Sequence, residues 1–219
     1  MATGLSVPTA HRFLKNLLDL GVARELVGQP GRYGLGHRLH RLVQAGAGDD
    51  RREAQGILQE LADATALTAF LAVREGDEVV YVLRAVPQRS ALVATTRIGH
   101  SAPLYCTGVG KALLAHDDEA AVLDYCRRIH FEPLTSRTPR DAADLLRRLA
   151  TVRRSGVARD DEECEIGVAC TAMAVPGTEA AISVSGAASS FSAPSIAMHT
   201  TALQRAAHRL VQLGLEAWL

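Results

Sequence analysis

Apolar residues recur at helical spacing near the start of the chain. Five of them lie at positions i, i+3, i+4, i+7 and i+8, with polar side chains on the opposite face. These apolar positions are Ala10, Phe13, Leu14, Leu17 and Leu18. Ser6 can cap the first turn, Pro8 is tolerated inside it, and Gly21 ends the pattern. The pattern predicts an amphipathic helix that stops at Gly21.

Two short strands are predicted directly after this helix. Val22–Val27 and Arg32–Leu35 flank a turn rich in glycine and proline. A helix followed by a two-stranded wing is the layout of a winged helix-turn-helix, in which the helix enters the DNA major groove and a wing arginine meets a phosphate or the minor groove. A solvated amphipathic helix beside an ordinary hairpin has the same pattern, so the pattern alone leaves DNA binding open.

The remaining pattern mixes helical and strand periodicities without regular alternation. Leu35–Ala45 is a predicted connecting helix, and a flexible boundary at 46–50 separates a head, residues 1–47, from a body, residues 51–219. Body helices are predicted at Arg52–Ala64, Thr107–Ala115, Asp118–Arg128, Thr138–Arg154 (with Thr138 as its cap) and Pro194–Leu215. Strands are predicted at Thr68–Arg74, Glu78–Arg84, Ser90–Thr96, Val157–Arg159, Ala169–Val175 and Ala180–Ser185. This order indicates an α+β fold built around an antiparallel sheet.

Composition narrows the class of protein. The chain has 219 residues, 47% of them apolar, and a net charge of zero. Residues 1–45 carry six Lys and Arg against two acidic residues, a net charge of +4, so the remaining residues 46–219 carry −4. A basic head suits a phosphate-facing module, although short segments often vary this much. No signal peptide or membrane span is expected, and four scattered cysteines do not form a disulfide scaffold, so the cytoplasm is the expected compartment.

Two segments carry the candidate chemistry. The glycine turn 103–115 contains Gly108 and Gly110, whose amides can sit exposed at a helix start and favour an anion. A P-loop is excluded because Tyr105 and Ala112 stand where glycine and Ser or Thr are needed, and the third glycine of a dinucleotide fingerprint is also missing. The second segment, 156–170, contains the run Asp160-Asp161-Glu162-Glu163. Such a run is usually a solvated turn, and it can also bind a cation.

Other chemistries stay open at this stage. Ser183 and Ser185 alternate along a predicted strand and so share one face, where buried hydroxyls need partners that a polar ligand can supply. Cys106 or Cys170 with His100 would be a nucleophile pair, but a buried cysteine is usually a small hydrophobic residue. His100 and the cysteines lack the spacing of a metal motif. We expect no cofactor, no resident metal and no enzyme activity.

The head and body motifs together resemble the IclR family of transcriptional regulators. The resemblance lies in Leu5–Leu14, Leu20–Ala23 and Arg32–Gly36 of the head, and in segments 103–115 and 156–170 of the body. It implies a partial winged helix-turn-helix head followed by a GAF-like effector domain, with an antiparallel sheet flanked by helices. It implies operator DNA and a small organic, carboxylate-bearing effector as partners, a homodimer or homotetramer, and no membrane association.

The resemblance also assigns roles to individual residues. The residues implied to contact DNA are Ser6, Thr9, His11, Arg12, Lys15 and Arg32. The implied effector contacts are Gly108, Val109, Asp160, Cys170, Ser183 and Ser185, with apolar lining from Ala91, Ala94, Ala102 and Val168. Those lining side chains are smaller than the family often has, which predicts a wider pocket or walls from elsewhere.

The head departs from the family pattern at its start. The family has a helix and most of a second one before the recognition helix, whereas this chain begins at Met1-Ala2-Thr3-Gly4. A truncated product or an upstream start would explain this, and a recognition helix without support exposes Phe13, Leu14 and Leu17. Two functions therefore remain: a ligand-responsive DNA-binding regulator, or a stand-alone small-molecule-binding or dimerisation domain that has lost DNA binding.

Overall fold

A computed structural model of the chain describes residues 4–26, 30–36, 48–88 and 96–215. Packing divides the chain into an N-terminal unit, Met1–Arg52, and a larger unit, Glu53–Ala217. The predicted connecting helix, from residue 37 onward, lies outside the described residues, as does most of the predicted strand Ser90–Thr96. Within the described ranges, no helix combines the length and apolar character that crossing a bilayer requires.

The N-terminal unit contains one helix and one hairpin. Helix α1, Val7–Asp19, begins where the Ser6 hydroxyl accepts a hydrogen bond from the Thr9 amide at 3.4 Å. Strands β1, Ala23–Glu25, and β2, Tyr33–Leu35, pair antiparallel. The helix and hairpin lie where the pattern predicts them, with strands shorter than expected.

The larger unit is built on a six-stranded antiparallel sheet. After helix α2, Asp49–Thr65, come the strands β3, Thr68–Glu75, β4, Glu78–Ala85, and β5, Ser101–Pro103. The later strands are β6, Ala158–Asp161, β7, Val168–Ala174, and β8, Ala180–Ala187. The spatial order is β5-β4-β3-β8-β7-β6, so β3 and β8 pair in the middle of the sheet.

Helices cover both faces of this sheet, which confirms the predicted α+β class. On one face lie α3, Gly108–Leu114, α4, Glu119–Arg128, and α5, Ala142–Ser155. Their apolar side chains form a core with small sheet residues such as Ala72, Ala172 and Ala181. On the opposite face, α6, Ala193–Gln212, packs on β7 and β8. Side chains alternate along each strand, so successive residues contribute to the cores on opposite faces of the sheet.

One predicted helix boundary is wrong, and one strand was not predicted. The helix predicted to start at Thr138 starts at Ala142, because Asp141 is its cap and accepts a hydrogen bond from the Asp144 amide at 2.8 Å. The Thr138 hydroxyl instead donates to the Glu163 carbonyl at 2.6 Å, a contact that local sequence does not reveal. The short strand β5 was not predicted, since only pairing with β4 makes Ser101–Pro103 a strand.

Candidate functional site

The start of α3 is packed tightly against the sheet. The Thr107 hydroxyl accepts a hydrogen bond from the Gly110 amide at 3.0 Å and donates to the Pro103 carbonyl at 2.9 Å, which fixes the first turn. A Cβ added to Gly108 would lie 2.4 Å from the Cys170 Sγ atom. A Cβ on Gly110 would lie 2.3 Å from the Leu104 carbonyl oxygen. Both glycines are therefore required for the helix to approach its neighbours.

This packing corrects the expectation of exposed amides at the helix start. Gly108, Val109 and Gly110 are all buried, and the Gly110 amide is already bonded to Thr107. The helix is also only 7 residues long. The glycines thus serve the close approach of helix and sheet.

One row of polar side chains crosses four strands. Asp160 of β6 pairs with Cys170 of β7, Cys170 pairs with Ser185 of β8, and Ser185 pairs with Thr68 of β3. Directly paired residues point to the same side of an antiparallel sheet, so these four side chains share one face. The contact between Gly108 and Cys170 shows that this is the face covered by α3.

Ser183 lies on the same face, one row further along. It pairs with Ala172 on one side and Phe70 on the other, and it is 2% exposed. The ring centroids of Phe70 and Tyr81 are 5.2 Å apart, so Tyr81 also flanks this part of the sheet. Ser185, two positions further along β8, is partly buried. Sequence reasoning missed Tyr81, although alternation along β4 was a usable signal.

The acidic run is a structured turn, in contrast to the usual solvated one. We call residues 160–165 the acidic turn. The Asp160 side chain accepts a hydrogen bond from the Glu163 amide at 2.7 Å. The hydroxyl of Thr135 donates to the Glu162 carbonyl at 2.7 Å, and Glu162 has a positive φ of 60°. Asp160 and Glu163 are buried, so the turn holds its shape through internal contacts.

A buried ion-pair network anchors the acidic turn. Glu163 forms an ion pair with Lys111 of α3, whose side chain is 1% exposed. Arg148 of α5 also contacts Glu163, with 2.8 Å between Nη1 and Oε1, and lies 3.3 Å from Asp144. A buried charge is costly unless it is paired, and here each charge has a partner. The network joins α3, α5 and the turn.

The environment sets the protonation of the polar row. Burial raises the pKa of Asp160 to about 6, even though Lys111 nearby favours the charged carboxylate. Burial and the Asp160 charge raise the pKa of Cys170 to about 12. Burial likewise raises the pKa of Tyr81. Near neutral pH the thiol and the phenol are therefore uncharged, and Asp160 is the group that titrates in the ordinary range.

The expected apolar lining is only partly described. Ala102 of β5 pairs with Val79 and packs against the α3-side core. Val168 pairs with Ala187 at the end of β7, on the same face as Cys170. Ala91 and Ala94 lie outside the described residues.

Metal binding and a cysteine nucleophile receive no support from the geometry. Among the described residues, no three His, Cys, Asp or Glu side chains are grouped to hold a metal ion. The Cys106 thiol lies 3.0 Å from the thiol of Cys164, and Cys170 faces Gly108. In the acidic turn, the Glu163 carboxylate is occupied by Lys111 and Arg148.

The head places its expected DNA contacts on α1 and the hairpin. Ser6 and Thr9 share a hydrogen bond of 2.8 Å between their hydroxyls at the start of α1. His11, Arg12 and Lys15 are exposed along α1, and Arg32 is exposed just before β2. The apolar stripe is also uncovered, as expected from the sequence: Phe13 is 53% and Leu17 41% exposed, while Leu14 is partly buried.

Comparison with known proteins gives a consistent result. The model of the family described as "Bacterial transcriptional regulator IclR C-terminal" matches residues 47–212. The HTH-type transcriptional regulator XynR of Escherichia coli (strain K12) is 35% identical over 176 residues, which cover 78% of this chain and 68% of XynR. The HTH-type transcriptional regulator KdgR of Dickeya chrysanthemi is 33% identical over 174 residues, covering 78% of this chain and 56% of KdgR.

Solved structures agree with these matches. The crystal structure of an IclR transcriptional regulator from Alicyclobacillus acidocaldarius superposes with a TM-score of 0.87 and 25% identity, covering 96% of this chain and 86% of that chain. The matched relatives are transcriptional regulators and not enzymes. The sheet with helices on both faces, the family match over most of the larger unit and the sequence identity to XynR together show that this chain belongs to the IclR family of bacterial transcriptional regulators.

Proposed function

We propose that this protein senses a small organic acid on the α3-covered face of the sheet and binds operator DNA through α1 and the hairpin. The observation that carries the proposal is the polar row from Thr68 to Asp160, with Ser183 beside it. Ser183 is buried, and a hydroxyl is expensive to bury unless it has a hydrogen-bond partner. A bound polar molecule would supply a partner to Ser183 and to the partly buried Ser185 beside it.

The chemistry of the row favours an acid over a base or a sugar. Ser183 and Ser185 offer hydroxyl donors to a carboxylate. Asp160, with a pKa of about 6, can be protonated and then donates to a carboxylate oxygen instead of repelling it. Val109 and Tyr81 supply apolar area beside these groups. Contacts from Gly108 and Cys170, and lining by Ala91, Ala94, Ala102 and Val168, complete the proposed site.

This site is tested by thermal unfolding in the presence of candidate ligands. The compounds are small carboxylic acids, neutral amides of the same shapes and simple sugars. A molecule that binds only the native state raises the unfolding midpoint with its concentration. We expect at least one acid to do so, and its amide to do so less. Ser183→Ala with Ser185→Ala should abolish the shift. Stabilisation by sugars or amides alone would contradict a carboxylate effector.

DNA binding is proposed for the exposed polar face of α1. Thr9, His11, Arg12 and Lys15 would meet bases or phosphates, Ser6 would shape the helix start, and Arg32 would contact the backbone from the hairpin. The protein would act as a homodimer or homotetramer in the cytoplasm. Ligand would shift the populations of oligomer geometries and so change the spacing of two heads on the operator. Light scattering with and without ligand measures the assembly.

The second candidate is a ligand-binding or dimerisation protein without DNA binding. It is favoured by α1 itself, which has no buried residue and leaves Phe13 and Leu17 exposed. A gel shift with promoter DNA, using this chain and an N-terminally extended version, separates the candidates. Specific binding by both supports the regulator, whereas ligand binding without any DNA shift by either supports the second candidate.

A further inference from the structure

We propose that Cys106 and Cys164 are a modification site: a small disulfide such as oxidised glutathione converts them to an intramolecular disulfide that ties the acidic turn to the start of α3. Formation of this bond is independent of any ligand. Its effect on ligand exchange rests on the proposed function.

The two thiols are already in contact. Their sulfur atoms are 3.0 Å apart, although the residues are 58 positions apart in the sequence. A disulfide needs about 2.05 Å between the sulfurs, so the two sulfur atoms would have to approach by about 1 Å. The other two cysteines are engaged elsewhere: Cys170 packs against Gly108, and Cys126 lies on α4. The structure thus selects one pair among four free cysteines.

Exposure gives the two thiols different roles. Cys106 is fully buried, whereas Cys164 is partly exposed. The Cys164 thiolate, after losing its proton to solvent, attacks one sulfur of oxidised glutathione and releases one glutathione thiolate. Cys106 then loses its proton, attacks the Cys164 sulfur and expels the second glutathione. In total, two cysteine thiols are oxidised and one glutathione disulfide is reduced to two thiols.

The reaction is expected to be slow near neutral pH. The hydrogen bond to Cys106 and burial raise the pKa of Cys164, so little thiolate is present. The rate should therefore increase with pH. The extent of oxidation at equilibrium depends on how close the two thiols lie and not on the rate of the reaction. A measurement at equilibrium is therefore unaffected by the small fraction of thiolate.

The position of the bond gives it a consequence. Cys106 directly precedes Thr107, which caps α3, and Cys164 directly follows Glu163 of the buried ion-pair network. A covalent link here joins the two segments that flank the polar row. It would restrain the opening of the acidic turn away from α3, and slow the entry and exit of any molecule held between them.

The full chain is incubated to equilibrium at pH 8 in glutathione buffers of increasing oxidised fraction, then alkylated and digested with trypsin and a glutamate-specific protease. Cleavage after Glu165 separates Cys164 from Cys170. We expect a linked pair of peptides containing Cys106 and Cys164, lost in Cys106→Ala and in Cys164→Ser, and retained in the matched control Cys126→Ser. Only glutathionylated or free Cys164, or a link that involves Cys126 or Cys170, would overturn the proposal.

Stability and hydrogen exchange provide a readout that does not depend on the variants. Closing a loop of this length restricts the unfolded chain, so the oxidised protein should unfold about 5–10 °C higher than the reduced protein. Amides of the acidic turn should exchange more slowly after oxidation. If oxidation changed neither the unfolding midpoint nor the amide hydrogen exchange of the acidic turn, the proposed restraint by the disulfide would be contradicted. Absence of acid binding to the reduced protein would count against the proposed function only, because the peptide link is measured without ligand.

Discussion

The Asp160 side chain accepts a hydrogen bond from the Glu163 amide at 2.7 Å, and this single contact joins the polar row of the sheet to the buried ion-pair network. Asp160 belongs to the face proposed to hold a ligand. Glu163 binds Lys111 and Arg148 from two helices. A movement of the acidic turn that breaks this hydrogen bond would therefore affect both the polar row and the ion-pair network.

Asp160→Asn should change how stability depends on pH. Burial raises the folded-state pKa of Asp160 from 3.8 to about 6, so its contribution to stability is fully present below about pH 4 and is lost as pH rises through 6. Relative to Asp160→Asn, the wild type should lose about 1–3 kcal/mol between pH 4 and pH 7.5. Urea denaturation of both proteins at the two pH values measures this, and a constant difference would contradict the raised pKa.

Gly108→Ala should destabilise the protein although alanine favours helices. The new Cβ would lie 2.4 Å from the Cys170 Sγ atom and 3.3 Å from the Ala172 Cβ atom, which costs about 1–3 kcal/mol. Gly56→Ala is the matched control, since no atom lies within 4 Å of its added Cβ, and it should stabilise α2 by about 0.5–1 kcal/mol. Chemical denaturation compares them. Equal effects at the two sites would contradict the tight packing of α3.

Glu163→Gln should be strongly destabilising, because it leaves the buried Lys111 ammonium without its charged partner. We expect a loss of about 3–5 kcal/mol in the free energy of unfolding. Lys111→Met combined with Glu163→Leu should recover part of it, since it removes both buried charges. Asp49→Asn, which breaks the exposed pair with Arg52, should cost less than about 1 kcal/mol. A small effect of Glu163→Gln would mean that water reaches Lys111.

Arg12→Ala should weaken DNA binding and leave ligand binding intact, because Arg12 is exposed on α1 in the N-terminal unit. Loss of one phosphate contact should also lower the salt dependence of binding by about one unit in the log–log slope. Asp160→Ala with Ser183→Ala should weaken ligand binding and leave DNA binding intact. DNA binding is measured by fluorescence anisotropy with labelled promoter DNA, and ligand binding is measured by calorimetry. Equal loss of both activities in either variant would contradict separate roles.

Local patterns predicted most helices and strands because each pattern reports its own neighbourhood. The apolar stripe of α1 and the Ser6 cap are examples, as is Gly21, which follows the end of α1 with a positive φ of 66°. The errors arose where a side chain serves a distant partner. Thr138 has the composition of a cap, yet its hydroxyl is used by the Glu163 carbonyl 25 positions later.

The sequence by itself determined the class of fold, the family and the common face of Ser183 and Ser185, since periodicity, turn residues and strand alternation are properties of adjacent positions. Tertiary structure alone decided that Gly108 packs against Cys170, that Lys111 meets Glu163, and that Cys106 lies beside Cys164. These contacts join residues about sixty positions apart, and the pairing of six strands with the helices above them brings such residues together. An isolated acidic run is expected to be solvated, and it is burial under α3 and α5 that turns it into a buried network with one carboxyl of raised pKa.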